Sequence, residues 1–346
     1  MEKMSAFRLY RDGHYGVEQV QVPEISDDEV LVRVRGAAIC HSDVDFITGK
    51  RSPVFSGDSI TLGHEYAGEV AAVGKNVRDF SIGDKVVCEG IIWCGKCRQC
   101  KEGQTPLCTE NGRAEHGCVN YDGGFAEYAV SRPDMLIPFK NMSFETAACV
   151  EPAGNASHII DYADIKSDDI VVIIGPGPIG LYATALAKNK KPKMVITVGT
   201  RKCRLDLALQ MGADYVVNIN ECDAYERILE ITGGRKCNTV MQCATTQSAL
   251  ELGKRLLGLG GKLLIEGLTG QSEPFCFDEL IYNGWTVVGV AGSRHADYLN
   301  VTALAEAGEI DLSIPVTTVI PLDEIEDGFR KMLDKSTNTV KVVVTP

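Results

Sequence analysis

The apolar positions of this chain follow two different rhythms. Up to about residue 150 they come in short runs. Val30-Leu31-Val32-Arg33-Val34-Arg35 alternates with period two, which predicts a strand with one face on a core. Residues 69–73 and 84–87 read as further short strands, bounded by Gly68, Gly74 and Gly83. Pro23, Pro53, Pro106, Pro133 and Pro138 punctuate this region and predict loops. From residue 170 the rhythm changes. Ile170-Val171-Val172-Ile173-Ile174 is continuously apolar, as expected of a parallel strand covered on both faces. A helical period follows over 179–190. Then come strand 194–198, helix 203–211, strand 215–217, helix 224–231, strand 239–241, helix 248–257 and strands 262–265 and 286–290. Strand and helix in turn predict an α/β fold with a doubly wound parallel sheet. From about 291 the pattern is mixed again, and the apolar strand at 340–344 is expected to rejoin the first domain.

Composition narrows the picture. A chain of 346 residues exceeds what one hydrophobic core usually organises, so two domains are expected: 1–150 with 291–346, and 151–290. The formal net charge of -12 argues against nucleic acid and against an anionic membrane surface as partners. The most apolar window, 170–187, contains Gly175, Pro176, Gly177, Pro178 and Gly180, so it reads as strand-turn-helix rather than a membrane span. The N-terminus carries Glu2, Arg8, Arg11 and Asp12 with no apolar stretch, so it does not read as a signal peptide. Thirteen cysteines without such a signal place the chain in a reducing cytoplasm, where clustered cysteines mean metal more often than disulfides.

Four constellations carry chemistry. Cys94, Cys97, Cys100 and Cys108 follow the spacing C-x2-C-x2-C-x7-C, with Gly95 and Gly103 allowing turns, in a lobe at about 88–110. Four thiolates at this spacing suit a closed structural Zn²⁺ site. The second constellation is scattered: Cys40-His41-Ser42-Asp43, Gly63-His64-Glu65 and Glu151-Pro152. Together they offer thiolate, imidazole and carboxylate. Three protein ligands and one open position is the pattern of catalytic zinc, which lowers the pKa of a bound water or alcohol to roughly 7.

The third is Gly175-Pro176-Gly177-Pro178-Ile179-Gly180, a G-x-G-x-x-G run that follows an apolar strand and opens a helix. In that context the glycines permit a tight turn, and the helix N-terminus faces a dinucleotide pyrophosphate. The fourth bears on which dinucleotide. An acidic residue ending the second strand would bind adenosine ribose hydroxyls. This chain instead reads Val198-Gly199-Thr200-Arg201-Lys202. Loss of a carboxylate and gain of a guanidinium suit a 2′-phosphate, which favours NADP(H) over NAD(H).

These motifs, with Gly63-His64-Glu65-Tyr66-Ala67-Gly68, Gly83-Asp84-Lys85-Val86 and Gly123-Gly124-Phe125-Ala126-Glu127-Tyr128, span almost the whole chain. Taken together, they resemble the zinc-dependent medium-chain dehydrogenases/reductases, in the sorbitol (polyol) and threonine dehydrogenase branch. The resemblance implies a Rossmann dinucleotide-binding domain inserted into a β-rich GroES-like catalytic domain, and a homodimer or homotetramer. It implies Cys40 and His64 as zinc ligands and Glu151 as the carboxylate of the polyol branch. Glu65 matches a residue that ligates directly or supports the ligands, and Ser42 matches the hydroxyl that relays the alcohol proton.

Three positions depart from the family pattern. Asp45 stands where many polyol dehydrogenases have a histidine. The stretch after Glu151-Pro152 is small and polar, which makes Asn155 a candidate contact for substrate or nicotinamide. Arg294 lies in a loop unlike the corresponding one of sorbitol dehydrogenases and is a candidate for a hydroxyl, carboxylate or phosphate. The expected activity is reversible oxidation of a secondary alcohol (a polyol, sugar alcohol or its phosphate) with two zinc ions per chain. Alternatives are a threonine-type amino-alcohol dehydrogenase and a non-catalytic nucleotide-binding protein on the same scaffold.

Overall fold

The computed structural model describes residues 2–110, 114–270, 272 and 274–346, which form two compact units. The first comprises Met1–Gly154, Ser293–Ala307 and Val316–Pro346, and the second Asn155–Gly292 with Gly308–Pro315. The segment Gly308–Pro315 therefore clusters with the second unit, not with the 291–346 tail in which the sequence pattern places it.

The first unit is built on a seven-stranded, mainly antiparallel sheet. Its central strand, Val30–Ala38, extends beyond the predicted 30–35. The shift in register between Val34 and Gly36 lets the strand continue past the polar Arg35. A Cβ on Gly36 would lie 2.9 Å from the Phe144 carbonyl oxygen, so only glycine allows that approach. Val30–Ala38 pairs antiparallel with Glu65–Val73, with Tyr128–Ser131 and with the C-terminal strand Lys341–Thr345. The core beneath includes Phe7, Val32, Val34, Tyr66, Phe125, Phe329 and Val342, all buried. Helix Ile325–Leu333, absent from the sequence prediction, turns Ile325 and Phe329 inward at the i, i+4 spacing.

The second unit is a six-stranded parallel sheet. Its strands are β1 (Ile170–Ile174), β2 (Met194–Gly199), β3 (Tyr215–Asn218), β4 (Cys237–Gln242), β5 (Leu257–Ile265) and β6 (Thr286–Gly289). They lie in the order β3-β2-β1-β4-β5-β6. Helices α1 (Pro178–Asn189), α2 (Lys202–Gln210), α3 (Ala224–Thr232) and α4 (Gln247–Leu256) connect them. All five residues of β1 are buried, as its unbroken apolar run predicts. The strand order reverses between β1 and β4, the point at which such sheets bind ligands beyond their carboxyl ends. Among the described residues no helix is long and apolar enough to cross a membrane.

Candidate functional site

In the first unit, sheet register assembles a donor set. Ala38 pairs with Glu65, so Cys40, just beyond one strand, and His64, just before the other, emerge at the same edge. Ligating atoms of Cys40, His64 and Glu65 all lie within 4.8 Å of one another. Cys40 caps helix His41–Ile47, and its backbone N–H donates to Asp43 Oδ2 at 2.9 Å. Asp43 Oδ1 lies 3.9 Å from His64 Nδ1, and burial pushes this carboxyl up to about 6 against the pull of His64. Burial opposes charge on His64 itself, whereas thiolate charge on Cys118 or Cys40 beside it favours the imidazolium and raises the imidazole.

The carboxylates differ in their surroundings. Glu65 is bound by Lys341, which also donates to the Ile39 carbonyl at 3.1 Å, and both side chains are almost fully buried. Glu151 opens helix Val150–Ala163 and stands outside the Cys40/His64/Glu65 set. Its Oε1 lies 3.5 Å from the Tyr298 hydroxyl, which accepts from the Gly90 N–H at 3.0 Å. A Cβ on Gly90 would sit 3.5 Å from His64 Cβ and 3.6 Å from Glu151 Oε1, so Gly90 lies between the two. Burial pushes Glu151 up to about 8, with His64 opposing and Glu65 adding. A divalent cation reverses such a penalty, so thiol, imidazole and dehydrated carboxyl fit a zinc ion. Ser42 Oγ is buried with no hydrogen-bond partner among the described residues, which fits a hydroxyl awaiting a ligand.

The four cysteines of the lobe also converge, with sulfurs within 4.8 Å of one another. Cys94 and Cys100 are 3.9 Å apart and Cys97 and Cys100 3.4 Å. A tetrahedral ion with Zn–S of about 2.3 Å would space its sulfurs at about 3.8 Å, so the cluster fits structural zinc. The backbone N–H groups of Lys96 and Cys97 donate to Cys94 Sγ, and Gly95 provides the left-handed turn (φ +71°) that aims them.

In the second unit the glycine run behaves as its motif predicts. Gly175 (φ +104°) makes the turn after β1, and Gly177 caps α1, with Pro178 at its first position and Ile179 next. A Cβ on Gly180 would lie 2.0 Å from the Gly175 carbonyl oxygen, whereas one on Gly177 would meet nothing within 4 Å. The open space above Gly177, at a helix N-terminus, fits a pyrophosphate. The two positions therefore separate folding from binding. Gly180→Ala is expected to lower the melting temperature and weaken dinucleotide binding. Gly177→Ala is expected to leave melting unchanged yet raise the dinucleotide Kd at least tenfold. Thermal melts and fluorescence titration of both variants check this.

The remaining predicted residues take the following places. A Cβ on Gly199 would press on Pro176 at 2.5 Å, which accounts for glycine where an acid was expected. The Thr200 carbonyl accepts from Asn220. Arg201 precedes α2, and burial together with the charge of Arg201 lowers Arg204 to about 10. Lys202 is engaged by Asp206 one helical turn on. Arg294 forms a two-pronged ion pair with Asp297 and caps helix His295–Glu306, so its guanidinium is held within its own helix turn. Asn155 lies on helix Val150–Ala163, in the second unit.

Sequence reasoning missed Glu115 and Cys118. Their ligating atoms and one of His64 lie within 4.8 Å of one another, with Cys118 Sγ 3.4 Å from His64 Nδ1. The donor-dense run Glu115-His116-Gly117-Cys118 was the available signal. Lys341 and Tyr298 were also missed.

Comparison with known proteins agrees with this chemistry. The sequence profile of the alcohol dehydrogenase GroES-like domain matches residues 26–141, and that of the zinc-binding dehydrogenases matches 178–307. The chain is 33% identical to sorbitol dehydrogenase of Bacillus subtilis (strain 168), covering 100% of this chain and 98% of that protein. It is 32% identical to L-threonine 3-dehydrogenase of Yersinia pestis (strain Pestoides F), covering 94% of each. Its structure matches that of a putative zinc-binding dehydrogenase from Sinorhizobium meliloti 1021 bound to NADP. The TM-score is 0.92 at 28% identity, over 100% of both chains. The chain is an oxidoreductase of the zinc-dependent medium-chain dehydrogenase/reductase family, in the sorbitol and threonine dehydrogenase branch.

Proposed function

We propose that this enzyme reversibly oxidises a secondary alcohol of a polyol, sugar alcohol or sugar-alcohol phosphate, with NADP(H) preferred to NAD(H) and two zinc ions per chain. The observation that carries this reading is the convergence of Cys40, His64 and Glu65, with Glu151 beside them across Gly90. Zinc held there supplies Lewis acidity towards an alcohol or ketone oxygen, and the nicotinamide supplies the redox chemistry. Cys40 and His64 hold the ion. Glu151 is the third ligand, because Lys341 already matches the charge of Glu65. Ser42 Oγ relays the alcohol proton, accepting it as its own hydroxyl proton passes on towards solvent, and this role is supported by a buried hydroxyl with no hydrogen-bond partner among the described residues.

Glycines 175, 177 and 180 seat the pyrophosphate. Support for NADP(H) comes from Gly199, which leaves no carboxylate for the ribose, and from the charges of Arg201 and Arg204, close enough to repel. Support for a homo-oligomer comes from Phe277, Ile281 and Tyr282, large apolar side chains exposed together on helix Phe277–Asn283.

The 32% identity to L-threonine 3-dehydrogenase keeps amino-alcohol oxidation as a second reading. An activity screen of polyols, polyol phosphates, their ketoses and L-threonine with both cofactors tests these assignments. Turnover of a polyol or its phosphate, several-fold faster with NADP, is expected. Preference for L-threonine would replace the polyol reading, and a strong preference for NAD would sink the Gly199/Arg201 argument.

A further inference from the structure

The strand β5 ends at Ile265, opposite Gln242 of β4, and Glu266 follows. The backbone here is firmly held. The N–H groups of Glu266 and Gly267 both donate to the Gln242 carbonyl at 3.1 Å, and Gly267 N–H also reaches Gln242 Oε1 at 3.2 Å. Next to it, Cys243 N–H donates to the Ile174 carbonyl at the end of β1 (2.9 Å). A Cβ on Gly175 would lie 2.8 Å from Ala244. The glycine turn, Cys243-Ala244 and Glu266 therefore share one carboxyl edge of the sheet, at the reversal of strand order.

The Glu266 carboxyl is out of place by ordinary rules. It is only partly exposed, and burial pushes it up to about 7. No hydrogen bond or ion pair to it occurs among the described residues. The Cys243 thiol lies close to it and is itself raised by burial and by Glu266. A dehydrated carboxyl costs stability unless something donates to it. The Gln242 side-chain amide, at the end of β4, donates to the Ala244 carbonyl. The carboxyl is therefore open to a donor from a ligand bound at this edge.

The sheet says which part of a ligand reaches this point. In a doubly wound sheet the two mononucleotide halves of the cofactor lie on either side of the reversal. With the pyrophosphate at Gly177, the adenosine half lies over β2 and β3 and the nicotinamide half over β4 and β5. β5 is two strands from β1, about 10 Å away. That distance carries past the ribose to the nicotinamide ring, whose carboxamide offers two N–H donors. We propose that Glu266 accepts a hydrogen bond from the nicotinamide carboxamide and so sets the orientation of the ring. The inference rests on the nicotinamide-cofactor reading above.

The test uses the full chain, its Glu266→Ala and Glu266→Gln variants, and three probes titrated by fluorescence. The probes are the preferred dinucleotide, its 3-acetylpyridine analogue, in which a methyl ketone replaces the amide, and the matching ADP-ribose, which lacks the ring. The wild type is expected to bind the parent about tenfold more tightly than the analogue. Glu266→Ala should lose that tenfold for the parent and bind the analogue and ADP-ribose unchanged, while Glu266→Gln, which keeps a carbonyl acceptor, should retain most of it. Without ligand, both variants should melt no lower than the wild type, because a partnerless carboxyl has been removed. Equal losses for parent and analogue, or no loss at all, overturn the proposal, and so does a lower melting temperature of both variants. ADP-ribose separates the two levels of inference. If it binds normally while the carboxamide pattern fails, only the Glu266 assignment falls. If neither it nor the dinucleotides bind the wild type, the dinucleotide reading falls and takes this one with it.

Discussion

Replacing Lys341 by methionine is expected to destabilise the first unit by about 3–5 kcal/mol, the usual cost of breaking a buried ion pair by removing one partner. Methionine keeps the volume and the unbranched stem, so packing around residue 341 is disturbed little. What changes is charge. Lys341 and Glu65 are each about 1% exposed, and the Lys341 ammonium donates to both the Glu65 carboxylate and the Ile39 carbonyl. Burial alone would lower Lys341, but the neighbouring Glu65 reverses this and raises it, so the lysine stays charged. Without it, the Glu65 carboxyl is left buried beside Cys40 and His64 with its ion-pair partner gone.

Neutralising the partner as well should return much of the loss, because the uncompensated charge is then gone. Urea unfolding of Lys341→Met, Glu65→Gln and the double variant measures this. Single-variant losses that simply add in the double variant would show that the two residues do not act as a pair. The same cycle tests the division of labour between the carboxylates. If Lys341 matches the charge of Glu65, Glu65→Gln should retain both zinc ions, while Glu151→Gln should lose one.

Cys40→Ser is expected to reduce kcat by about 10³-fold or more while leaving the dinucleotide Kd within twofold of wild type. A metal acting as Lewis acid contributes several kcal/mol to the barrier, and each 1.36 kcal/mol is a factor of ten. A serine hydroxyl is a poor zinc ligand at neutral pH, since the thiolate is the ligating form and a serine hydroxyl does not ionise there. Dinucleotide binding should survive, because glycines 175, 177 and 180 belong to the second unit and Cys40 to the first. Steady-state kinetics with the best substrate of the screen, together with a cofactor titration, separates the two effects. Retained turnover would remove Cys40 from the metal site.

How much of this was legible in the sequence depends on how local each feature is. The β1-turn-α1 unit was legible because its strand, glycines and helix lie within a few residues, and each glycine meets the steric demand its motif implies. The four-cysteine lobe was legible for the same reason. The ends of elements were less so. β5 starts at Leu257, so that Gly258, Gly260 and Gly261, which lie between the predicted helix 248–257 and strand 262–265, join the strand.

The metal donors were partly legible. Cys40, His64 and Glu65 stood out as residue types, but their proximity depends on a register pairing that spacing does not reveal. Cys118 and Lys341 were invisible for that reason, since one reaches His64 from 54 residues away and the other Glu65 from 276. Arg294 shows the converse case, a local contact that the sequence could have revealed. Its partner Asp297 lies three residues on, at the i, i+3 spacing of a capping arrangement.

In the proposed function, Cys40, His64 and a carboxylate hold a second zinc ion, distinct from that of Cys94, Cys97, Cys100 and Cys108. Zinc content per chain, measured on purified wild-type protein and on Cys40→Ser after dialysis, tests it most directly. Two ions are expected in the wild type and one in the variant, with the remaining ion lost only when the lobe cysteines are also replaced. One ion in both proteins, or two in both, would contradict it.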